Sequence, residues 1–197
     1  MSHYYINDEK LNEEMKKINV KIKDVEFTFN TQPGVFSKSN IDFGSKLLIE
    51  NIVVDPNVEN IADIGCGYGP IGLSLAKFNP NSHIFMYDIN QRAVNLAINN
   101  AKLNNINNVT IKNNNILDNI TTNFDLIVTN PPIRAGKEIV FKIYEQAYQR
   151  LKEQGKFYCV IQKKQGAPSS YKKLTELFKN VQVITKSKGY WIIFAQK

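Results

Sequence analysis

The sequence has few of the residues on which disulfide-rich and metal-binding proteins depend. Two cysteines, Cys66 and Cys159, and two histidines, His3 and His83, occur in 197 residues. Two separated cysteines give no disulfide framework, and cysteines and histidines this sparse make no zinc-ligand pattern. We therefore expect no metal site, with Cys66 filling a glycine-rich loop and Cys159 buried in a strand.

Long hydrophobic runs are also missing. No stretch of about 18 apolar residues is present, as a membrane helix would require, and the first residues lack the apolar segment of a signal peptide. We therefore expect a cytoplasmic protein with no membrane partner. With 43% hydrophobic and 22% charged residues, the chain can bury a full core in one domain. We predict a single domain over 1–197, with an N-terminal extension at 1–55 and the core at 56–197.

The most informative segment is Asn130-Pro131-Pro132-Ile133, which follows an apolar run at 124–129. Such a run is typical of a buried strand in a parallel sheet, and open α/β sheets bind ligands at the carboxyl ends of their strands. Two prolines fix φ at about −65° and leave the preceding carbonyls outside the strand ladder. We predict a catalytic loop in which the Asn130 oxygen and the Pro131 carbonyl accept hydrogen bonds from a planar amine. A turn that only ends the strand is the alternative.

A glycine-rich loop lies upstream of this segment. Gly65, Gly67 and Gly69 follow a short apolar strand and precede an amphipathic helix near 70–78. Because glycine has no Cβ, it adopts positive φ easily and lets the backbone approach a ligand closely. The loop is therefore predicted to bind a cofactor.

Two carboxylates indicate which cofactor this is. Asp88 ends the next predicted strand, where a carboxylate can hold both hydroxyls of a ribose, so we expect a nucleoside-containing cofactor. Residues 67–72 also satisfy the G-x-G-x-x-G pattern of dinucleotide-binding proteins, and this pattern alone does not decide. Asp63 favours S-adenosylmethionine over a nicotinamide cofactor, because a carboxylate there attracts the ammonium of the methionine moiety and repels a pyrophosphate.

Patterns typical of strands and of helices alternate along the chain. Strands near 20–23 and 25–29 are predicted to form an exposed hairpin, followed by a helix over 41–52 capped by Asp42. Further strands are expected near 60–65, 83–88, 108–112, 124–129, 155–162, 181–187 and 190–195. Further helices are expected near 70–78, 91–103, 137–151 and 169–179. The last two strands are separated by too few residues for a crossover helix and must pair antiparallel.

Together these segments resemble the small methyltransferase domain of the RsmC type, a family of small-subunit ribosomal RNA guanine-N2 methyltransferases. Residues 34–37 and 42–48 resemble the family's lead-in, 63–69 its cofactor loop and 130–132 its catalytic loop. The resemblance implies a Rossmann-like class I methyltransferase fold of the α/β class. Its mostly parallel seven-stranded sheet would end in an antiparallel hairpin, with a small hairpin and helix as N-terminal extension.

The resemblance also implies the contacts of the cofactor, S-adenosylmethionine. Because residues 115–117 match the segment that flanks the adenine, Ile89, Asn115 and Ile116 are predicted to bind that ring. The other predicted cofactor residues are Asp63, Gly65, Gly67, Gly69 and Asp88.

The predicted reaction takes place on a guanine extruded from small-subunit (16S) ribosomal RNA. Asn130, Pro131 and Pro132 are the predicted catalytic residues, and Asn130 cannot act as a general base at neutral pH. Catalysis should therefore come from holding the attacking nitrogen, the methyl carbon and the sulfur in line. Transfer to adenine N6 or to a protein glutamine amide is the nearest alternative, because the same acceptor pair serves each amine. A noncatalytic RNA-binding or ribosome-assembly protein is another.

Two departures from the family limit what the resemblance implies about target choice. Longer members carry an additional N-terminal domain that we do not expect in this protein. Related enzymes often have an aromatic residue at the position of Ile133, so base stacking must come from elsewhere. Phe36, Tyr68 and Trp191 are the candidates.

Charge points to a polyanionic partner. The net charge is +7 and the sequence pI about 9.3, which favours a polyanionic partner without naming it. The resemblance implies that this partner is ribosomal RNA or the small ribosomal subunit. Cationic side chains follow the ends of two strands, and these ends are predicted to lie on the same rim of the sheet. Such cations are suited to hold phosphates beside an extruded base. The predicted substrate-binding residues are Ile133, Arg134, Lys137, Lys163 and Lys164. A solvated lysine face is the alternative for the last two.

Overall fold

The computed structural model describes residues 15–32 and 40–197. Its strands are β1 (Lys16–Ile22), β2 (Val25–Thr31), β3 (Asn60–Ile64), β4 (His83–Asp88), β5 (Val109–Asn113), β6 (Phe124–Thr129), β7 (Leu151–Gln162), β8 (Asn180–Ser187) and β9 (Tyr190–Gln196). Its helices are α1 (Phe43–Asn51), α2 (Pro70–Phe78), α3 (Gln91–Leu103), α4 (Lys137–Arg150) and α5 (Ala167–Leu177). Residues 34–37, part of the expected lead-in, and Phe36 with them lie outside the described ranges.

The main sheet has seven strands in the order β5-β4-β3-β6-β7-β9-β8. Strands β3 to β7 pair parallel, and β9 pairs antiparallel with both β7 and β8. This confirms the predicted parallel sheet with an antiparallel end. The chain runs outward from β3 to β5 and then returns to β6 on the other side of β3. The ends of β3 and β6 therefore lie side by side, at the switch point where open α/β sheets bind ligands.

Each face of the sheet is covered by its own helices and its own apolar cluster. One cluster joins α1, α2 and α3 to the sheet, and Leu48 and Leu73 lie at its centre. The other joins α4 and α5 to the opposite face through residues such as Tyr144 and Leu174. Because side chains of a strand point alternately to its two faces, a residue's place along a strand decides which helices it contacts.

The N-terminal hairpin of β1 and β2 differs from the exposed hairpin expected. Both strands are longer than predicted, and Phe27 and Phe29 are fully buried in the first cluster. The free edge of β2 is covered by side chains of α3: Asn104 exchanges hydrogen bonds of 3.0 and 2.7 Å with the backbone of Thr28. Asn100 does the same with Asn30, at 2.7 and 2.9 Å. The amide side chains thus replace a neighbouring strand, and the hairpin is part of the core.

Other boundaries also differ from the expected ones: α1 begins at Phe43 instead of near 41, and α5 ends at Leu177 instead of near 179. Strand β7 begins at Leu151, directly after α4, instead of near 155. Helix α5 begins at Ala167 instead of near 169, because Pro168 fits the first helical turn. Across the described ranges no helix is both long and apolar enough to cross a membrane.

Candidate active site at the switch point of the sheet

The glycine loop follows β3 and lies against the end of β4. The N–H of Gly65 donates a 2.8 Å hydrogen bond to the Tyr87 carbonyl. Gly65, Gly67 and Gly69 have φ of 73°, 57° and 101°, values that residues with a side chain rarely adopt. A Cβ on Gly69 would lie 2.8 Å from Leu73, whereas one on Gly67 would meet nothing within 4 Å. The backbone at Gly67 is therefore open to a ligand.

Asp63 lies on β3 and is completely buried. Its Oδ2 accepts a 2.8 Å hydrogen bond from the Gly72 N–H, while no described residue donates to Oδ1. Burial raises the pKa of this carboxyl to about 7, although the Gly72 bond lowers it; the nearby Asp88 raises it further. An unsatisfied buried oxygen of this kind is costly and fits a cationic group bound beside it. The residue therefore suits the ammonium of S-adenosylmethionine.

Asp88 ends β4 and connects two loops. Its Oδ2 accepts a 2.8 Å hydrogen bond from the Gly67 N–H, and its Oδ1 accepts one of the same length from the Asn90 N–H. Asn90 in turn caps α3. The sequence predicted a ribose ligand here but missed these backbone contacts. A carboxylate oxygen accepts more than one hydrogen bond, so the observed bonds are compatible with the predicted ribose contact.

The predicted adenine segment lies beside Asp88. Asn113, which ends β5, donates from its side chain to the carbonyls of Asp88 and Ile89, at 3.1 and 2.8 Å. Ile89 is 39% exposed, a large apolar side chain open at the rim. Ile116 has a φ of 55°, which is strained for a β-branched residue. The structure thus brings Ile89 and the segment of Asn115 and Ile116 to one end of the sheet.

Helix α4 holds this segment in place. The Leu117 N–H donates to Oε1 of Gln146 at 2.8 Å, and Nε2 of Gln146 donates to Oδ1 of Asp118 at 2.6 Å. Lys142 forms a 3.1 Å ion pair with the same carboxylate, and the Asn115 amide donates to it at 2.7 Å. The hydrogen bond from Gln146, followed by that from Lys142, lowers the pKa of Asp118. Sequence reasoning missed this clamp; its one signal is the i, i+4 spacing of Lys142 and Gln146.

The Asn130 side chain is fixed in one orientation by the start of α1. Its Nδ2 donates to Oγ of Ser45 at 3.0 Å and to Oδ1 of Asp42 at 3.2 Å. Asp42 is the N-cap of α1 and also accepts from the Ser45 N–H at 3.0 Å. Because a carboxylate only accepts hydrogen bonds, the amide nitrogen must face Asp42. The Asn130 oxygen, to which no described residue donates, is left as an acceptor, as its predicted role requires.

The two prolines connect Asn130 to the glycine loop. The ring of Pro132 lies 4.0 Å from the position that a Cβ on Gly65 would take. The Pro132 carbonyl accepts a 2.9 Å hydrogen bond from Ala135 and so closes a short 3-10 turn, Ile133–Ala135. No described residue donates to the Pro131 carbonyl. Two acceptors, on Asn130 and Pro131, thus have no donor among the described residues, and the next residue, Pro132, lies beside the predicted cofactor loop.

The predicted cations lie on the same rim as Asn130. Because β6 and β7 pair parallel, with Thr129 opposite Cys159, the residues that follow the two strands lie at one edge. All four predicted cations are exposed there: Arg134, Lys137, Lys163 and Lys164. Ile133, also predicted to bind substrate, is partly buried against the second cluster.

The two described candidates for base stacking, Tyr68 and Trp191, lie in different environments. Tyr68 is 2% exposed and packs edge-on against Phe29 in the core, so it cannot stack on a base and that suggestion is wrong. Trp191 is partly buried on the face of α4 and α5, with Nζ of Lys186 4.3 Å from the centre of its ring. The structure thus excludes Tyr68, leaves Trp191 as a candidate and does not describe Phe36.

Both cysteines are buried, as predicted. Burial raises the pKa of Cys159 to about 12 and that of Cys66 well above its usual value. In the described part of the chain, no group of three or more His, Cys, Asp or Glu side chains lies close enough to hold a metal ion.

Known proteins with similar sequences include one of nearly the same length and several longer ones. Uncharacterized protein YbxB of Bacillus subtilis is 47% identical over 198 residues, 99% of this chain and 98% of that protein. Ribosomal RNA small subunit methyltransferase C of Pseudoalteromonas translucida is 35% identical over 151 residues, 74% of this chain and 43% of that protein. Ribosomal RNA large subunit methyltransferase G of Vibrio vulnificus (strain YJ016) is 29% identical over 187 residues, which are 89% of this chain and 48% of that protein. The chain thus spans about half the length of these named methyltransferases.

Among solved structures, the 16S rRNA N2 methyltransferase RsmC of T. thermophilus, in complex with AdoMet and guanosine, has a TM-score of 0.80. The match covers 93% of this chain and 50% of that chain at 24% identity, and it confirms the predicted Rossmann-like methyltransferase fold. Residues 26–194 match the family model of the Methyltransferase small domain. The predicted cofactor class, S-adenosylmethionine, is confirmed with it. The chain belongs to the methyltransferase small domain family.

Proposed function

We propose that the protein transfers a methyl group from S-adenosylmethionine to the exocyclic N2 amine of a guanine in small-subunit ribosomal RNA. The observation that carries the proposal is the fixed amide of Asn130. Asp42 and Ser45 hold its nitrogen, which leaves its oxygen as an acceptor close to the glycine loop. An acceptor fixed in this way is suited to receive an N–H.

The two acceptors, the Asn130 oxygen and the Pro131 carbonyl, would act by orienting the target amine. An exocyclic amine can donate one hydrogen to the Asn130 oxygen and the other to the Pro131 carbonyl. Both acceptors also stabilise the positive charge that develops on the nitrogen as it is alkylated. Since Asn130 has no basic group at neutral pH, the proton leaves to solvent after transfer. The contribution of these residues is therefore positioning and electrostatic stabilisation.

The residues of the glycine loop and its neighbours would hold the cofactor. S-adenosylmethionine, when bound, supplies an electrophilic methyl group on a sulfonium. Asp63 would bind the ammonium and Asp88 the ribose, with Gly65, Gly67 and Gly69 providing the open backbone between them. Ile89, Asn115 and Ile116 would bind the adenine.

RNA as substrate is supported by charge and by the relatives. Arg134, Lys137, Lys163 and Lys164 are exposed around the catalytic loop and suit phosphates on either side of an extruded base. The relatives named as methyltransferases act, by their names, on small-subunit or large-subunit ribosomal RNA. The small-subunit guanine is favoured because the relative with the higher identity is the small-subunit enzyme.

The test is to identify the methylated nucleoside. Purified protein is incubated with methyl-labelled S-adenosylmethionine and ribosomal subunits from a strain that lacks this gene, and the RNA is digested. We expect label in N2-methylguanosine from the small subunit. Label in the large subunit would overturn the choice of subunit, and label in adenine or in protein would replace the acceptor. No label in any fraction would overturn the proposed activity.

A matched pair of variants shows that the label comes from this site. Asn130→Ala removes the fixed amide and should abolish labelling. Asn51→Ala removes an amide of the same kind from the end of α1, where it bonds to Leu47 and Thr185 far from the loop. The Asn51 variant should label RNA as the wild type does.

A further inference from the structure

We propose that Phe43 and Tyr190, with Lys188 above the Phe43 ring, form the surface on which the target base stacks. The inference deepens the proposed function and rests on it, since it names the residues that hold the face of the base. It answers the absence of an aromatic side chain at Ile133, where related enzymes often have one. The three residues are called the aromatic shelf below.

The shelf begins one residue from the site that fixes Asn130. Asp42, whose carboxylate accepts from the Asn130 amide at 3.2 Å, is followed directly by Phe43. The rings of Phe43 and Tyr190 lie 5.7 Å apart at an angle of 53°. A Cβ on Gly44 would come within 3.0 Å of the Tyr190 ring, so the glycine lets that ring lie close against the first turn of α1.

Tyr190 reaches this place because it begins β9. It pairs with Gln162, the last residue of β7, and so lies on the rim that carries Asn130. It packs with Phe43 on the face of α1, whereas the next residue, Trp191, points to the face of α4 and α5. Tyr190, rather than Trp191, therefore shares a face with α1, whose cap holds Asn130.

The turn before Tyr190 places cations around the shelf. Lys188 and Gly189 have φ of 45° and 80°, as in the tight two-residue turns of β-hairpins. The Gly189 carbonyl accepts a 2.7 Å hydrogen bond from the backbone of Lys163, which joins this turn to the predicted phosphate-binding residues. Nζ of Lys188 lies 4.8 Å from the centre of the Phe43 ring.

This arrangement suits a nucleobase and its phosphate. Both rings are partly buried, so they are held rigidly and still present part of their surface. A lysine over an aromatic face is a weak contact in water, and Lys188 can move from the ring to a phosphate when a base takes its place. Stacking of a base on an aromatic side chain tolerates any base, so the shelf would hold the ring while Asn130 and Pro131 select the amine.

Substitutions that separate stacking from packing test the inference. Phe43→Leu and Tyr190→Leu keep an apolar side chain but remove the ring, whereas Phe43→Trp and Tyr190→Phe keep a ring. On ribosomal subunits we expect each leucine variant to lose about 10- to 100-fold in kcat/KM for RNA. The aromatic variants should stay close to the wild type. Melting temperatures that stay well above the assay temperature, with unchanged affinity for S-adenosylhomocysteine in all four variants, would exclude misfolding as the cause.

Tyr148→Leu is the matched control. Tyr148 is also partly buried and has a lysine, Lys197, 4.9 Å from its ring centre. It belongs to the last part of α4, close to the start of β7 and thus at the opposite edge of the sheet. Its loss should leave RNA methylation unchanged.

A binding measurement keeps this inference separate from the proposed function. A short ribo-oligonucleotide that contains 2-aminopurine is titrated with protein in the presence of S-adenosylhomocysteine, and stacking quenches its fluorescence. Quenching by the wild type and not by the leucine variants supports the shelf, even if subunits receive no label, in which case only the proposed reaction fails. If the wild type is active, and the leucine variants are as active and quench the fluorescence as much as the wild type does, the shelf alone is overturned. Neither quenching nor labelling by the wild type overturns both.

Discussion

The two halves of the carboxyl rim of the sheet have opposite charge and opposite exposure. At the ends of β3 and β4, the two acids Asp63 and Asp88 are 0% and 2% exposed. At the ends of β6 and β7, the cations Arg134, Lys163 and Lys164 are exposed. Buried charges act at short range and strongly, whereas exposed charges act through a screened field. The difference suits a small cationic cofactor on one half and a polyanion on the other.

The halves also differ in how their side chains are fixed. On the acidic half, Asp63 and Asp88 each accept hydrogen bonds from backbone N–H groups. On the basic half, Asn130 is fixed by other side chains, and the cations around it extend into solvent. Substitutions on the acidic half should therefore change affinity for the cofactor, and those on the basic half should change turnover or RNA binding. The predictions below test this division.

The largest effect is expected for Asn130→Ala. The variant loses the acceptor that orients the amine, so we expect kcat to fall by roughly 100-fold or more. Affinity for S-adenosylhomocysteine, measured by calorimetry, should stay within about twofold of the wild type. A comparable loss of both would mean that Asn130 is structural, and the division between the halves would fail.

Asp88→Ala should do the reverse. Loss of the carboxylate removes the predicted ribose contact and leaves the N–H groups of Gly67 and Asn90 without their acceptor. We expect affinity for S-adenosylhomocysteine to fall by about 10- to 100-fold. At saturating S-adenosylmethionine the loss of kcat should be much smaller. Unchanged affinity would remove Asp88 from the ribose.

The pH dependence of cofactor binding should report Asp63. A cationic ammonium binds the ionised carboxyl, whose pKa is raised to about 7 by burial, so affinity should fall by about tenfold per pH unit below pH 7. Burial raises the pKa of the neighbouring Cys66 thiol well above its usual value, so this group keeps its proton over the same interval. Affinity measured from pH 5.5 to 8 in the wild type and in Asp63→Asn tests this, because the variant should bind more weakly and show a flat profile.

The same raised pKa has a consequence for stability in the absence of cofactor. The unfolded chain releases this proton near the ordinary value of 3.8, whereas the folded chain keeps it up to about pH 7. The stabilising contribution is therefore fully present below 3.8 and is lost as pH rises through about 7. The free energies of unfolding of the wild type and of Asp63→Asn are measured by denaturant titration at each pH. Plotted against pH, the two curves should diverge over this interval and run parallel above it. Curves that stay parallel throughout would mean that the carboxyl ionises at its ordinary pKa in the folded chain as well.

The features of the site that the sequence predicted are local in the chain, and those that it missed depend on contacts between distant residues. The strand before Asn130 and the turn glycines are local patterns, and the sequence predicted both correctly. The contact between Asp42 and Asn130 joins residues 88 positions apart, so no spacing rule reveals it. The strained Ile116 and the asparagines that cover β2 likewise depend on tertiary packing. The fold was predictable because periodicity records burial, whereas the polar contacts that fix the site are made across the fold.

A smaller effect is expected from the clamp on the adenine segment. Gln146→Ala leaves the Leu117 N–H without its acceptor and frees Asp118 from one partner. We expect affinity for S-adenosylhomocysteine to fall by roughly 3- to 10-fold, with kcat at saturation unchanged. Gln149→Ala, an exposed position on the same helix, is the control and should bind as the wild type does. Equal affinity in both variants would show that α4 does not set the adenine segment.

The smallest effect is expected from single cations on the basic half. Lys163→Ala removes one exposed charge near the catalytic loop, so binding of RNA should weaken slightly and its dependence on salt should become shallower. The slope of log K against log salt should decrease by about one. Lys102→Ala removes an exposed charge from the end of α3 and should leave the slope unchanged, since that residue lies away from the basic half. Equal slopes in both variants would mean that net charge, rather than the arrangement of cations on the rim, attracts the RNA.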